Sequence, residues 1–257
     1  MSPAPPPGLL PHPGVALLAG GPAARPGSLP DLRRRALFDP ARPGFAAAGL
    51  AAAAGCREAT LLPAAPGTAD SAALIAALRA AAPRAVLRLE WWARGTALPE
   101  PADALLAALA AAQPLFVQVV VNHPDELDPP LAAALERLAR AGVPLAAEVH
   151  LLPGRNDDAA TLRRLCLALL RQGVRPYVLV DGFWQERRVP RADALERVRA
   201  LRGWISGLAV PQLVEELPDG RRTPVIPAYV TRLDAAGADL VNYQGRPHYY
   251  PNPTGEK

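Results

Sequence analysis

Residues 115–151 read LFVQVVV-NHPDEL-DPPLAAALERLARAG-VPLAAEVHL. A β-branched apolar run gives way to a polar break, then to a segment with apolar Leu131, Leu135 and Leu138 on one face, then to a second apolar run. The spacing i, i+4, i+7 with Glu and Arg between is that of a helix lying on a core. Asp128-Pro-Pro is a helix start and the glycine at 142 a helix stop. The stretch is therefore strand, helix, strand, and two strands joined in this way run parallel with a right-handed crossover. Working outward, apolar runs recur at 15–18, 58–62, 85–91 and 176–180, with helical segments at 71–81, 101–112, 157–172 and 191–201. Six such units predict either a doubly wound sheet or a full or partial (β/α) barrel, with ligands at the carboxyl ends of the strands in each case. After residue 208 the pattern breaks into short β-rich pieces with Pro and Gly, which predicts an irregular β extension over the barrel mouth.

Composition narrows the function classes. The chain has 257 residues, 28 Lys+Arg against 24 Asp+Glu, and is 50% hydrophobic, which excludes a disordered chain and allows a sizeable core. With 5% aromatics that core is aliphatic. Of the 31 prolines, those within residues 1–30 crowd into a head with little periodicity, so the expected organisation is a flexible head at 1–12, a barrel at 13–210 and the extension at 211–257. The net charge of +4 comes from arginines spread among acids, which predicts an ordinary solvated surface and no nucleic-acid partner. No apolar run reaches the roughly 18–20 residues of a membrane span, and no basic residue precedes the apolar stretch at 15–19, so no membrane association and a cytoplasmic location are expected. Cys56 and Cys166 stand far apart and outside any CxxC spacing, so neither a metal site nor a disulfide is predicted.

At the predicted strand ends the polar residues are Asn122 and His123, Glu148 and His150, and Asp181, with the loop 152–157 able to line a pocket. His150 alternates with apolar neighbours, which points it to the helix layer or to a barrel layer. His12 and His248 have no partner at ligand spacing. Neither GxGxxG nor GxxxxGK[ST] occurs, which disfavours dinucleotide and triphosphate chemistry.

The pieces NHPDEL (122–127), AGVPL (141–145), LLPGRND (151–157), VRPY (174–177), LRG (201–203), SGLAVP (206–211), TPVIPAYV (223–230) and NYQG (242–245) follow one another in an order and spacing that can be named. From Asn122 to Pro253 the chain resembles the second half of the lysine 2,3-aminomutase family of radical S-adenosylmethionine enzymes. The resemblance implies a partial TIM-type (β/α)6 barrel. In that family the barrel binds a 4Fe-4S cluster, S-adenosylmethionine and pyridoxal phosphate, and moves an amino group. By the same resemblance Arg33, Arg94, Asn122, His123, Asp181 and Glu216 match pocket positions, the two acids lying near those that hold a substrate's distal ammonium, while Glu148 stands where the family has glutamine. Arginines at one end and acids at the other suit an amino-acid zwitterion.

The cofactor positions depart from the family. Such a cluster needs three thiolates in CxxxCxxC, and the positions that correspond are Ala24, Ser28 and Asp31. The glycine-rich adenosylmethionine loop falls at 62–67 without its glycine pair and acid. The Schiff-base lysine position is Arg222, whose guanidinium stays protonated and forms no imine. The expectation is a degenerate family member with no cofactor, no metal and no catalytic residue, binding an amino acid or a partner protein such as an active paralogue or a biosynthetic enzyme. The alternative is an aminomutase of lysine or a related amino acid whose cluster or cofactor comes from a partner subunit. A weaker third reading is a non-radical enzyme using Glu148, His123 or Asp181 as acid or base.

Overall fold

The computed structural model describes residues 58–61, 69–92, 101–182, 188–216, 222–226, 228–234 and 236–252. Seven strands form one sheet in chain order: β1 (Glu58–Leu61), β2 (Val86–Trp92), β3 (Leu115–Val120), β4 (Leu145–His150), β5 (Val174–Gly182), β6 (Gln212–Glu216) and β7 (Arg222–Pro224). The first six are parallel and β7 returns antiparallel to β6. The connections are α1 (Ala69–Ala81), α2 (Asp103–Ala111), α3 (Pro129–Arg140), α4 (Ala159–Arg171) and α5 (Arg191–Leu201). This is a mixed α/β fold with a curled half-barrel sheet.

Alternation along the strands decides what faces what. Val117, Val119 and Val121, then Leu145, Ala147, Val149 and Leu151, belong to the same buried cluster as Leu131, Leu135 and Leu138 of α3 and Leu162, Leu165 and Leu169 of α4. Each fully buried leucine contributes about 1.5–3 kcal/mol. The opposite parity carries Gln118, Asn122, Glu148 and His150, all buried, beside a small separate cluster of Val178, Val180 and Val214. A helix layer therefore covers one face, and the other face, on the inside of the curl, is polar at its centre.

The helix starts follow the sequence closely. The Asp128 carboxylate accepts from Leu131 N at 2.9 Å, with Pro129 and Pro130 opening the first turn. At α4 the cap is Asp158 and not its neighbour 157: its carboxylate accepts from Thr161 N at 2.8 Å. Arg79, near the end of α1, donates to the carbonyls of Ala82 (3.1 Å), Pro83 (3.2 Å), Ala85 (2.8 Å), Ala112 (2.6 Å) and Pro114 (3.0 Å). One guanidinium thus closes the carboxyl ends of both α1 and α2.

Three expectations need comparison with this fold. The run at 15–18 lies outside the described residues. The parallel sheet also continues past residue 210, because Gln212–Glu216 pairs with β5 from Val178↔Gln212 to Gly182↔Glu216. Three residues of that five-residue strand are polar, and its apolar pair divides between faces, Leu213 to the helix side and Val214 to the inner side. Finally, the extension was expected over the barrel mouth. Its antiparallel sheet is β8 (Val230–Leu233), β9 (Gly237–Val241) and β10 (Pro247–Pro251), and residues beside and within it contact the carboxyl end of α5. Arg199 and Arg202 lie 5.5 and 6.0 Å from the Tyr229 ring, and Gly203, at φ +80°, sits so close to Tyr243 that a Cβ would lie 2.4 Å from the ring. None of the described helices is long and apolar enough to cross a membrane.

Candidate functional site

Glu148 is the centre of the inner face. Gln118 on β3 is two residues from the register partner of Glu148, Val120, and its Nε2 donates to Glu148 Oε2 at 2.5 Å. His150, two residues along β4 and so on the same face, places Nε2 3.0 Å from Oε1. Arg222 arrives from β7, donating from Nη1 to Oε2 and from Nη2 to Oε1, both at 2.7 Å. With β5 and β6 lying between β4 and β7, this bond crosses the hollow of the curled sheet, over the faces that carry Val178, Val180 and Val214. The side chains of Glu148 and Arg222 are 2% and 8% exposed. Burial pushes the Glu148 carboxyl up, but the Arg222 charge, the His150 hydrogen bond and the guanidinium hydrogen bonds outweigh it, and hold the carboxyl well below the usual carboxylate range.

A second network builds the strand-end loops. Asn122 Oδ1 accepts from His150 N at 2.7 Å, and Asn122 N donates to Glu126 Oε2 at 2.6 Å. Asn156, fully buried, donates to the carbonyls of Asn122 (2.7 Å) and His150 (2.8 Å) and accepts from Leu152 N at 2.7 Å. Arg155 reaches Glu126 Oε1 at 2.6 Å. The loop after β4 is thereby bound to the loop after β3, and the mouth has a rigid rim. Asp181 and Glu215, at the ends of β5 and β6, are bridged by Arg188, whose Nη2 lies 3.1 Å from Asp181 Oδ2 and 3.2 Å from Glu215 Oε1. Arg191 adds a contact to Glu215 at 2.6 Å. Burial raises the Glu215 carboxyl, and the two guanidiniums more than reverse this, leaving it lowered.

The structure thus brings Glu148 together with Arg222, holds Asn122 in the rim, and sets His123 beside it. There the His123 ring accepts from Asp125 N at 3.3 Å as the cap of a short 3-10 turn, away from the carboxylate centre. Asp181 is engaged by Arg188. Glu216 ends β6, in register with Gly182 and Arg222, and its side chain lies outside the described part, as do Ala24, Ser28, Asp31, Arg33 and Arg94. Of the two placements the sequence allows for His150, the structure has the barrel layer and not the helix layer: the ring lies on the inner face of the curl beside Glu148. Its spacing of two from Glu148 on a strand was the available signal. Gln118, at the same parity in the preceding strand, went unnoticed because it sits inside an apolar run.

Among the described residues, neither an imine-forming amine nor a thiolate set stands at the inner face. An imine needs a lysine amine, and Arg222 offers a guanidinium already forked onto a carboxylate. A cluster needs thiolates. Cys166 is buried in the helix-side core with its thiol pushed up to about 12, and among the described residues no group of three or more His, Cys, Asp and Glu could hold a metal.

Fold and site together define an α/β half-barrel whose hollow is spanned by a buried ion pair. No family model matches the chain. It is 36% identical over 145 residues to L-lysine 2,3-aminomutase of Fusobacterium nucleatum, covering 54% of this chain and 34% of that protein. A putative L-lysine 2,3-aminomutase of Treponema pallidum is 36% identical over 151 residues, 57% of this chain and 42% of the relative. Glutamate 2,3-aminomutase of Clostridioides difficile is 35% identical over 137 residues, 50% and 31% respectively. Over about half its length the chain is similar to lysine and glutamate 2,3-aminomutases, and the match spans between about a third and two-fifths of these relatives' lengths.

Proposed function

We propose that this protein is a degenerate member of the lysine 2,3-aminomutase family that performs no radical chemistry and uses the inner face of its half-barrel to bind an amino acid, or to present that face to a partner such as an active aminomutase. One observation carries the reading: the guanidinium of Arg222, which by the resemblance stands where the family has its cofactor lysine, is committed to Glu148 at 2.7 Å. A guanidinium in that state is neither a nucleophile nor a base. The sequence also contains only two cysteines and no CxxxCxxC. The arrangement of acids and arginines at the strand ends supports a zwitterionic ligand, held by charge-assisted hydrogen bonds. The partial barrel of the radical S-adenosylmethionine type and a cytoplasmic address belong to the same reading.

The test is iron and sulfide content with a visible spectrum after anaerobic reconstitution, followed by titration with S-adenosylmethionine and with pyridoxal phosphate. The expected result is no iron above background and no imine absorbance. About four irons per chain, the content of a 4Fe-4S cluster, would return the protein to aminomutase chemistry with ligands from elsewhere and overturn the reading.

A further inference from the structure

The groups around Glu148 have the shape of a receptor whose occupant belongs to the chain itself. Its two oxygens take the two Nη groups of Arg222 at equal distances of 2.7 Å, the parallel fork that a planar guanidinium makes and an ammonium cannot. Gln118 Nε2 approaches Oε2 at 2.5 Å and His150 Nε2 lies 3.0 Å from Oε1, so the carboxylate is held from both flanks with its fork-accepting edge turned to the hollow. These three side chains come from β3 and β4, inside the sheet, whereas Arg222 comes from β7, the last strand of the described sheet, which pairs with β6 from Val214↔Pro224 to Glu216↔Arg222, with a further bond from Val225 N to Leu213 O at 2.9 Å. The receptor is anchored in the middle of the fold and the occupant at its margin.

We propose that Gln118, Glu148 and His150 form a guanidinium-binding pocket, filled in the resting protein by Arg222 as an intramolecular occupant and open to a free guanidinium-bearing amino acid or amine when β7 yields. The proposal deepens the binding role given above and rests on it in one respect, that a ligand reaches the inner face. Val178, Val180 and Val214, on the inner face beneath the crossing, supply an apolar bed for the aliphatic stem of such a ligand. Because the tethered guanidinium competes at an effective concentration on the order of millimolar or more, the pocket of the unaltered protein takes free ligand weakly.

The experiment uses the full chain with Arg222→Ala, and Arg222→Gln as a second variant that keeps a polar side chain near the carboxylate. The thermal midpoint and far-UV circular dichroism are followed as ethylguanidinium is added up to tens of millimolar. Ethylammonium controls for charge and ethylurea for shape. Ethylguanidinium is expected to raise the midpoint of either variant, or restore its fold, where the two controls do not. Its apparent Kd should be at least tenfold lower than for the unaltered protein, and Glu148→Gln added to Arg222→Ala should abolish the effect. Equal responses to ethylguanidinium and ethylammonium, or no response in either variant whether folded or not, would overturn the assignment. That failure is separate from failure of the degenerate-member reading, which the iron and pyridoxal phosphate measurements decide on the unaltered protein.

Discussion

Replacing Arg222 by methionine keeps much of the stem and removes the guanidinium, leaving the Glu148 carboxylate buried with Gln118 and His150 as its remaining named partners. Two charged hydrogen bonds at 2.7 Å disappear, each worth about 1.5–3 kcal/mol. Their sum agrees with the loss of about 3–5 kcal/mol seen when one partner of a buried ion pair is removed. The pH dependence makes the reasoning specific. In the unaltered protein the Glu148 carboxyl is lowered in the fold, so its contribution is present above the unfolded value of about 4.3 and is lost as pH falls through the lower folded value. Without Arg222, burial dominates and the carboxyl rises above its unfolded value, so the penalty is full at neutral pH and is relieved by acid. The stability difference between the two proteins should therefore be about 3–5 kcal/mol at pH 7 and close steadily toward pH 4. Urea unfolding followed by circular dichroism at half-unit steps measures it, with a His150→Gln background to remove the neighbouring imidazole. Adding Glu148→Gln to the methionine variant should recover most of the loss at pH 7, because no charge is then stranded. A gap below about 1 kcal/mol at pH 7, or one of constant size from pH 8 to 4, would refute the ion pair as described.

Asn156→Ala strands the carbonyls of Asn122 and His150 and the amide of Leu152. At about 1–3 kcal/mol for each buried group left unpaired, the variant should be among the least stable single substitutions in the chain by urea unfolding. Gly203→Ala forces a side chain into positive φ and into the Tyr243 ring. It should cost about 1–3 kcal/mol and loosen the small sheet, read as increased proteolysis after residue 228, while Gly142→Ala, with open space around it, should cost only the backbone strain. In a Cys56→Ser background the remaining thiol, Cys166, should resist a disulfide-exchange reagent at pH 8 until the protein unfolds, because burial pushes it up to about 12.

The repeating βα order was legible because each strand from β2 to β4 exposes its period-two code: Leu87 and Leu89, then Val117 and Val119, then Ala147 and Val149 all turn toward the helices. Helix starts were legible where an acid precedes the apolar stripe, as at Asp128. β6 was hidden because Leu213 and Val214 serve opposite faces, so five residues contain no run to see. The site was half legible. Glu148 and Arg222 could each be singled out by position, but their union depends on the curl that brings β7 across the hollow to β4, and nothing local in the chain between two residues 74 positions apart encodes that distance. The same is true of Arg188, which takes Asp181 from within a loop whose neighbours give no hint of pairing.

The single guanidinium of Arg79 has a consequence for how the protein breathes. Because it terminates α1 and α2 together, neither helix can fray at its carboxyl end without withdrawing hydrogen bonds from the other, and β2, threaded between them in sequence, is caught in the same bargain. The β1-to-α2 quarter should therefore open as one cooperative unit. Amides of α1 and α2 would share one exchange free energy, distinct from that of the α3–α4 layer, and Arg79→Ala would split that shared value in two.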